Sequence, residues 1–464
     1  MERLILETEF KQIGKQEQLR CDSKYRYFYD VKKEVIVERL KTKFSEHRLK
    51  SILKLNKTKI FKKGLLDDEY ILIELDDIDP GSGEIKRERK VEEIGSDKTL
   101  FADSDILISK LMPQAGHIIL NDRAKKYIGT TELIGFKIIN SQINKKYLLY
   151  LLLSIRKNFE LLTSGKTHPR IQIQDILRIK IPKTSKDIQE ETVKKIEKTE
   201  EQIKKEKQKL VPLQDVIEEV FIKYGVKSTE FEKKEFEAFT TDAFSIGKQK
   251  FLRCGPQYRA FLDFHKGLLF EDGAKFPIIK LGSVMKLHKT KTLKKGILDK
   301  EYILLDLEDL EQYTGRVRNV DKLVSEIGSD KTLFKDADII VSKIDPYLGY
   351  TFLNDQSKPL IGSTELLPYK VNKKLALPEY IKYLLLSHEY IFNSGLMMYG
   401  KRHPRIHPLD IVDIKIPLPD LDIQRKIISE IHKQETINEE AKQKIKGFRE
   451  SINKIIFENL MEET

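Results

Sequence analysis

The chain has 464 residues, 40% hydrophobic and 34% charged, a soluble globular profile too long for one ordinary domain and suited to two or three. Its formal net charge of +12, from 85 Lys and Arg against 73 Asp and Glu, favours a polyanionic partner with nucleic acid first, although Lys-rich composition alone leaves an incidental charge equally open. Two cysteines, Cys21 and Cys254, exclude a disulfide framework, and no run approaches the roughly 18 apolar residues of a membrane span, so a cytoplasmic chain without membrane contact is expected.

In chain order, the opening MERLILETEFKQIGKQ lacks an apolar core of signal-peptide length. The stretch 69–78, EYILIELDDI, has the β-branched and apolar content of a strand, and DPGSGE after it is a turn by composition. DILISKL (105–111), HIILND and the segment from Thr131 to Lys137 read as further strands. NKKYLLYLLLSIRKNFELL (144–162) is helical by period, with Tyr147 to Ser154 as a buried face, and RIQIQDILRIKIP closes the unit with a short helix and a strand.

The same order then recurs. IGKQEQLRC with Tyr25 and Arg26 is answered by IGKQKFLRC with Tyr258 and Arg259, at an offset of 254 − 21 = 233. EIGSDKTLF occurs identically at 93–101 and 326–334, and GTTEL (129–133) returns as GSTEL (362–366). GKTHPRI (165–171) pairs with GKRHPRI (400–406), and IKIP at 179–182 with 414–417. A period this long exceeds that of solenoids and propellers, so each copy is a domain. Two related domains suit a partner that is itself nearly two-fold, as duplex DNA is.

Each copy ends in a helical tail. Ile196, Ile203, Leu210, Ile217 and Tyr224 are spaced by seven, a heptad seam on a Glu- and Lys-rich helix. The second tail places Ile431, Ile445 and Ile452 in the same register, with Phe448 beside them. Pro212 predicts a kink or break in the first tail, and Gly447 stands at the matching place in the second. The expected architecture is α+β: domains at 1–183 and 241–418, helices at 184–226 and 419–464, and a linker at 227–240. The two helices are expected to pair as an antiparallel coiled coil with pseudo-two-fold symmetry; packing of each helix on its own domain is the alternative.

At this point the residues resemble a family. IPLPDLDIQRKIISEI (416–431), with Ile416, Pro417, Pro419, Leu421 and Gln424, is similar to the hallmark of Type I restriction–modification specificity subunits, where a strand ending in I-P-x-P leads into a long helix. The first copy keeps Ile181, Pro182, Ile188 and Gln189 but lacks the second proline and the leucine. KLGSVMKL (280–287), DSDILISKL (103–111) and DADIIVSKI (336–344) are similar to other segments of that family, and the resemblance covers essentially the whole chain. It implies two target recognition domains, each reading one half of a split site in double-stranded DNA, with the helices setting the distance between halves. It further implies docked methyltransferase subunits, expected to be two, and translocating endonuclease subunits. S-adenosylmethionine would then belong to the methyltransferase, and this chain would carry no cofactor and no catalytic site.

The residues agree with that expectation. There is no glycine-rich S-adenosylmethionine turn, no Asn/Asp-Pro-Pro-aromatic loop and no paired zinc signature. SGKT at 164–167 resembles the end of a phosphate-binding loop, but Glu160 stands where its first glycine belongs.

Three duplicated segments are candidates for DNA contact. The first supplies Lys57, Lys59, Lys62 and Lys63, then Lys289, Lys291, Lys294 and Lys295, with a solvated charged loop as the alternative. The second supplies Lys166, His168 and Arg170, then Lys401, Arg402, His403 and Arg405; here Arg170 and Arg405 could instead pair with Glu132 and Glu365. The third, GSDKTL, supplies Lys98 and Lys331, or is a turn needed for folding. Segments that differ between copies, 83–92 against 315–325 and 111–127 against 344–360, are where discrimination between sequences is expected.

Three other readings stay open. One is the recognition subunit of a Type IIB-like enzyme, and another a coiled-coil structural adaptor without specific DNA reading. The third is an enzyme using the duplicated His168 and His403.

Overall fold

The computed structural model describes residues 45–232 and 256–460, apart from 57, 122–124, 166, 265, 271–273, 319–321, 355–356, 401 and 459. The duplicated IGKQ segments with Cys21, Tyr25, Arg26 and Cys254, and the linker beyond residue 232, lie outside the described residues. The chain divides into two compact units, 1–206 with 443–464, and 207–442.

In the first unit a four-stranded antiparallel sheet runs in the order Leu53–Leu55, Leu133–Ile138, Ile106–Ser109, Ile118–Leu120. The inner strand Ile106–Ser109 is apolar at three successive positions and buried throughout, because the sheet is covered on both faces. A five-stranded sheet follows the order Ile60–Phe61, Lys98–Leu100, Tyr127–Gly129, Gly64–Ile73, Arg89–Ile94, with its parallel pairing between Gly64–Ile73 and Tyr127–Gly129. Helix α1 (Lys145–Ile155) starts at Asn144, whose side chain accepts hydrogen bonds from the N–H groups of Lys146 and Tyr147. Its run from Tyr147 to Leu153 is buried all round, against Ile106, Ile108 and Phe136 of the sheet and Val193 and Ile196 of the tail. Ile456 and Leu460 join the same core.

The tail of the first copy is α2 (Lys186–Lys207) and α3 (Leu213–Tyr224), separated at Pro212. Pro212 has no N–H to donate and holds an extended ψ of 139°, so the helix restarts there.

The second unit repeats both sheets in the same order. The four-stranded sheet runs Met285–Leu287, Leu366–Val371, Ile339–Ser342, Thr351–Leu353, and the five-stranded sheet Thr292–Leu293, Lys331–Leu333, Leu360–Ser363, Gly296–Leu305, Leu323–Ile327. The bulge between Leu65 and Tyr70 recurs between Ile297 and Tyr302. The counterpart of α1 is α4 (Pro378–Leu384), and the 3-10 helix Arg156–Leu162 that follows α1 is answered by α5 (His388–Leu396), capped by the Ser387 hydroxyl, which accepts from the N–H of Tyr390. Val216, Ile217, Val220 and Phe221 of α3 share this unit's core with Ile427, Ile428 and Ile431 of α6 (Leu421–Glu458).

At 38 residues, α6 is about 57 Å long. Gly447 does not interrupt it, since a glycine costs a helix only about 1 kcal/mol where a proline costs about 3. In the second unit the gap between α2 and α3 is met by Asn438: its side-chain amide donates to the carbonyl of Val211 at 2.7 Å and its oxygen accepts from the N–H of Val211 at 3.1 Å. Gln434 donates to the carbonyl of Lys209 at 3.1 Å. Among the described residues no helix is long and apolar enough to cross a membrane.

Each tail is fastened to its unit by a buried glutamine. Gln189 accepts from the N–H of Asn144 at 2.8 Å and donates to the carbonyls of Gln142 and Thr184, both at 3.1 Å. Gln424 accepts from the N–H of Leu377 at 2.8 Å and donates to the carbonyls of Leu375 at 3.1 Å and Pro419 at 2.8 Å.

Candidate nucleic-acid interface

The first and third candidate segments come together in each unit. Asp97, in the GSDK turn, accepts from the ammonium of Lys62 at 2.7 Å and from the N–H of Lys63 at 3.1 Å. Asp330 does the same for Lys294 at 2.8 Å and the N–H of Lys295 at 3.0 Å. The lysine side-chain hydrogen bond first, then the main-chain N–H, holds each aspartate below its ordinary pKa. The nine-residue identity thus has a local cause: the aspartate ties the turn to the lysine loop.

Lys98 does not reach outward. It is buried, with its ammonium 2.5 Å from Glu74 and 3.0 Å from the Ser96 hydroxyl. Lys331 likewise turns to Asp306, 3.5 Å away. Lys59 lies 3.5 Å from Asp67 and 4.4 Å from the Phe61 ring centroid. Lys63, Lys289, Lys291 and Lys295 carry exposed side chains, while Lys57 lies outside the described residues.

The second candidate is a hairpin. Thr163–Ser164 pairs with Arg170–Ile171, and the turn between them opens on Gly165, whose φ of 99° favours glycine; Gly400 (94°) opens the turn in the second unit. His168, Arg402 and His403 are exposed at the tips, and His403 itself takes a left-handed φ of 51°. Lys166 and Lys401 lie outside the described residues.

Arg170 and Arg405 point back into their units. The Arg170 guanidinium meets Glu132 with two hydrogen bonds of 3.1 Å, and Arg405 meets Glu365 at 2.9 and 3.1 Å. Arg170 holds the Glu132 carboxyl below its usual pKa. Burial pushes Glu365 up, but Arg405 and Lys343 outweigh it and hold it below the usual range.

The hairpin rests on a segment that differs between units. The N–H of Met112 donates to the carbonyl of Pro169 and that of Asp345 to Pro404, each at 2.9 Å. Met112 and Asp345 hold left-handed φ values of 46° and 44°, so the turn that follows projects beside the hairpin tip. Its residues are Met112, Pro113 and Gln114 in one unit and Asp345, Pro346 and Tyr347 in the other. The other differing segment, 83–92, is anchored: Arg87 and Arg89 bind the buried carboxylate of Asp77 at 2.9 and 2.5 Å. Sequence reasoning missed Asp77, Asp97 and Asp330 as organising residues, although the last two lie inside the longest identical stretch.

Of the helix seam, Ile196, Ile203, Ile217, Ile431 and Ile445 are buried, and Leu210, Phe448 and Ile452 are half-buried. Among the described residues no group of three or more His, Cys, Asp or Glu side chains is arranged to hold a metal ion.

The profile of the Type I restriction modification DNA specificity domain matches this chain twice, over residues 41–214 and 273–447. The chain belongs to that family, and it carries two of its domains in tandem. No curated protein sequence matches it. Among solved structures, it resembles a chain from a study of complex assembly and conformational transition of the type I R-M system, at 12% identity and a TM-score of 0.45, over 92% of this chain and all of that one. It also resembles the Type I restriction–modification S subunit of M. genitalium, at 14% identity and a TM-score of 0.41 over 92% and 99% of the two chains. For the HsdS subunit of Thermoanaerobacter tengcongensis the identity is 13% and the TM-score 0.33, over 91% and 97%.

Proposed function

We propose that this chain is the DNA-reading subunit of a Type I restriction–modification complex, each unit reading one half of a bipartite site in double-stranded DNA. The observation that carries the reading is the double match to the specificity domain, with the same hairpin in both units and different residues beside each tip. Shared exposed cations suit the phosphate backbone common to any two half-sites, while unlike neighbours suit unlike bases.

In this reading α2, α3 and α6 pair as an antiparallel coiled coil with pseudo-two-fold symmetry and set the spacer between the half-sites. Two methyltransferase subunits dock on the chain, one for each half, and bring S-adenosylmethionine with them. Translocating endonuclease subunits join that assembly. This chain selects the site and its partners carry out the reactions. The boundaries 1–183, 184–226, 227–240, 241–418 and 419–464 are the corresponding division into readers, helices and linker.

Methylation mapping tests the proposal. The chain is co-expressed with the methyltransferase encoded beside it in a methylation-free host, and the modified bases are sequenced. Two short half-sites around a fixed random spacer are expected. Methylation at one continuous site, or none from a soluble complex, overturns the two-reader reading.

A further inference from the structure

We infer that the Glu132–Arg170 and Glu365–Arg405 pairs are positioning devices, and that each welds the hairpin tip to the neighbouring turn to make one composite base-reading surface. The inference rests on the two-reader proposal and specifies where in each unit the reading is done.

The argument starts from the main chain. In the first unit three segments lie side by side. The N–H of Lys110 donates to the carbonyl of Glu132 at 2.8 Å, the N–H of Ile171 to the carbonyl of Lys110 at 3.0 Å, and the N–H of Met112 to the carbonyl of Pro169 at 2.9 Å. Arg170 bridges Leu111, so its side chain reaches across the middle segment to Glu132 on the far one. The second unit repeats each link: Lys343 to Glu365 at 2.9 Å, Ile406 to Lys343 at 2.8 Å, Asp345 to Pro404 at 2.9 Å, and a bridge between Ile344 and Arg405.

The hairpin needs such a tether. Its own pairing is only two residues per strand in the first unit, too short to be stable by itself. A bidentate guanidinium–carboxylate pair fixes direction as well as distance, which a single lysine contact does not. The Nε–Nη2 edge of Arg170 is committed to Glu132, so the guanidinium is held in one orientation across the middle segment. In the second unit the guanidinium also donates to the carbonyl of His403, inside the tip itself, at 2.9 Å.

What the tether presents differs between units. The first surface combines Met112 and Gln114 with Thr167 and His168, and the second combines Asp345 and Tyr347 with Arg402 and His403. Tether residues are the same in both copies, whereas of the presented residues only the histidine is shared. That is the pattern of a common frame carrying unlike readers.

The two units provide an internal control. In the reconstituted complex, Glu132→Gln is compared with wild type by methylation mapping and by DNA binding across a salt series. Selectivity at the half-site read by the first unit should fall about tenfold or more, as for a lost base contact, while the other half-site and the salt slope stay unchanged. Glu365→Gln should do the reverse. The double variant Glu132→Arg with Arg170→Glu, which restores a pair of opposite polarity, should recover selectivity in part.

A salt slope lowered by about one in Arg170→Ala, with half-site selectivity kept, makes Arg170 a phosphate contact and overturns the inference. Equal loss at both half-sites in Glu132→Gln overturns it as well, because the effect would then be general destabilisation. A wild-type complex without a split site refutes the two-reader proposal instead, so the two failures are distinguishable.

Discussion

Replacing Gln424 by Met tests how the second tail is fastened. The glutamine side chain is fully buried and makes three hydrogen bonds of 2.8, 3.1 and 2.8 Å, to main-chain groups of Leu377, Leu375 and Pro419. Methionine has nearly the same length and volume, so the change removes the bonds and leaves little cavity. At about 1 kcal/mol for each bond, and more where a buried main-chain group is left unsatisfied, the loss is about 3–5 kcal/mol. For a unit of this size that is a fall in Tm of about 10 °C. The assay is scanning calorimetry of the full chain, following the transition of the second unit. Gln424→Glu sharpens the test. It keeps the acceptor for Leu377 but turns a carboxylate toward two carbonyls, so burial and those dipoles should raise its pKa. A raised pKa means that the contribution is present in the protonated form and is lost as pH rises, so this variant should gain stability on acidification relative to wild type. A Met variant within about 1 °C of wild type, or a Glu variant indifferent to pH, would refute the reasoning.

Gly447→Ala should stabilise the chain by about 1 kcal/mol in urea unfolding, since the position lies in mid-helix and nothing lies within 4 Å of the added methyl. Burial raises the pKa of Asp77, but the N–H of Glu74 with Arg89 and Arg87 outweighs it and leaves the group below its ordinary value. Its contribution is therefore complete above the ordinary aspartate pKa and disappears as pH falls through the lowered one; Asp77→Asn should flatten the acid limb of the stability profile, measured by denaturation midpoints across pH. Lys63→Ala, at an exposed cation shared by both units, should weaken DNA binding at all sequences and lower the salt slope by about one, whereas Lys98→Ala, at a side chain already held by Glu74, should leave that slope unchanged.

The duplicated architecture was legible because it needs no energetics: identical strings at a constant offset imply two copies of one fold. The heptads located both tails, and Pro212 marked the break between α2 and α3, since a residue without an N–H interrupts a helix wherever it falls inside one. The division of α4 from α5 was not legible, because it turns on Ser387 acting as a cap inside a run that otherwise reads as helix. Lysines were the least legible. Lys98 and Lys63 sit in equally basic surroundings, yet one bends in to Glu74 and the other stays exposed, a difference decided by strand pairing far along the chain. The pairing of Arg170 and Arg405 with Glu132 and Glu365 could be posed as an alternative from sequence, but only the ladder through Lys110 and Lys343 brings those residues together.

Asn438 has a consequence for how such a chain can change length. By gripping both main-chain groups of Val211, it sets which turn of α6 faces the break, and one helical turn of slippage, about 5.4 Å, would leave those groups without their partner. An insertion into α6 ahead of Asn438 must therefore break this lock or buckle the helix. One placed after it leaves the lock intact and instead shifts Ile456 and Leu460 along the core of the first unit, so Asn438 fixes the register of the leading part of α6 alone, like the zero of a ruler.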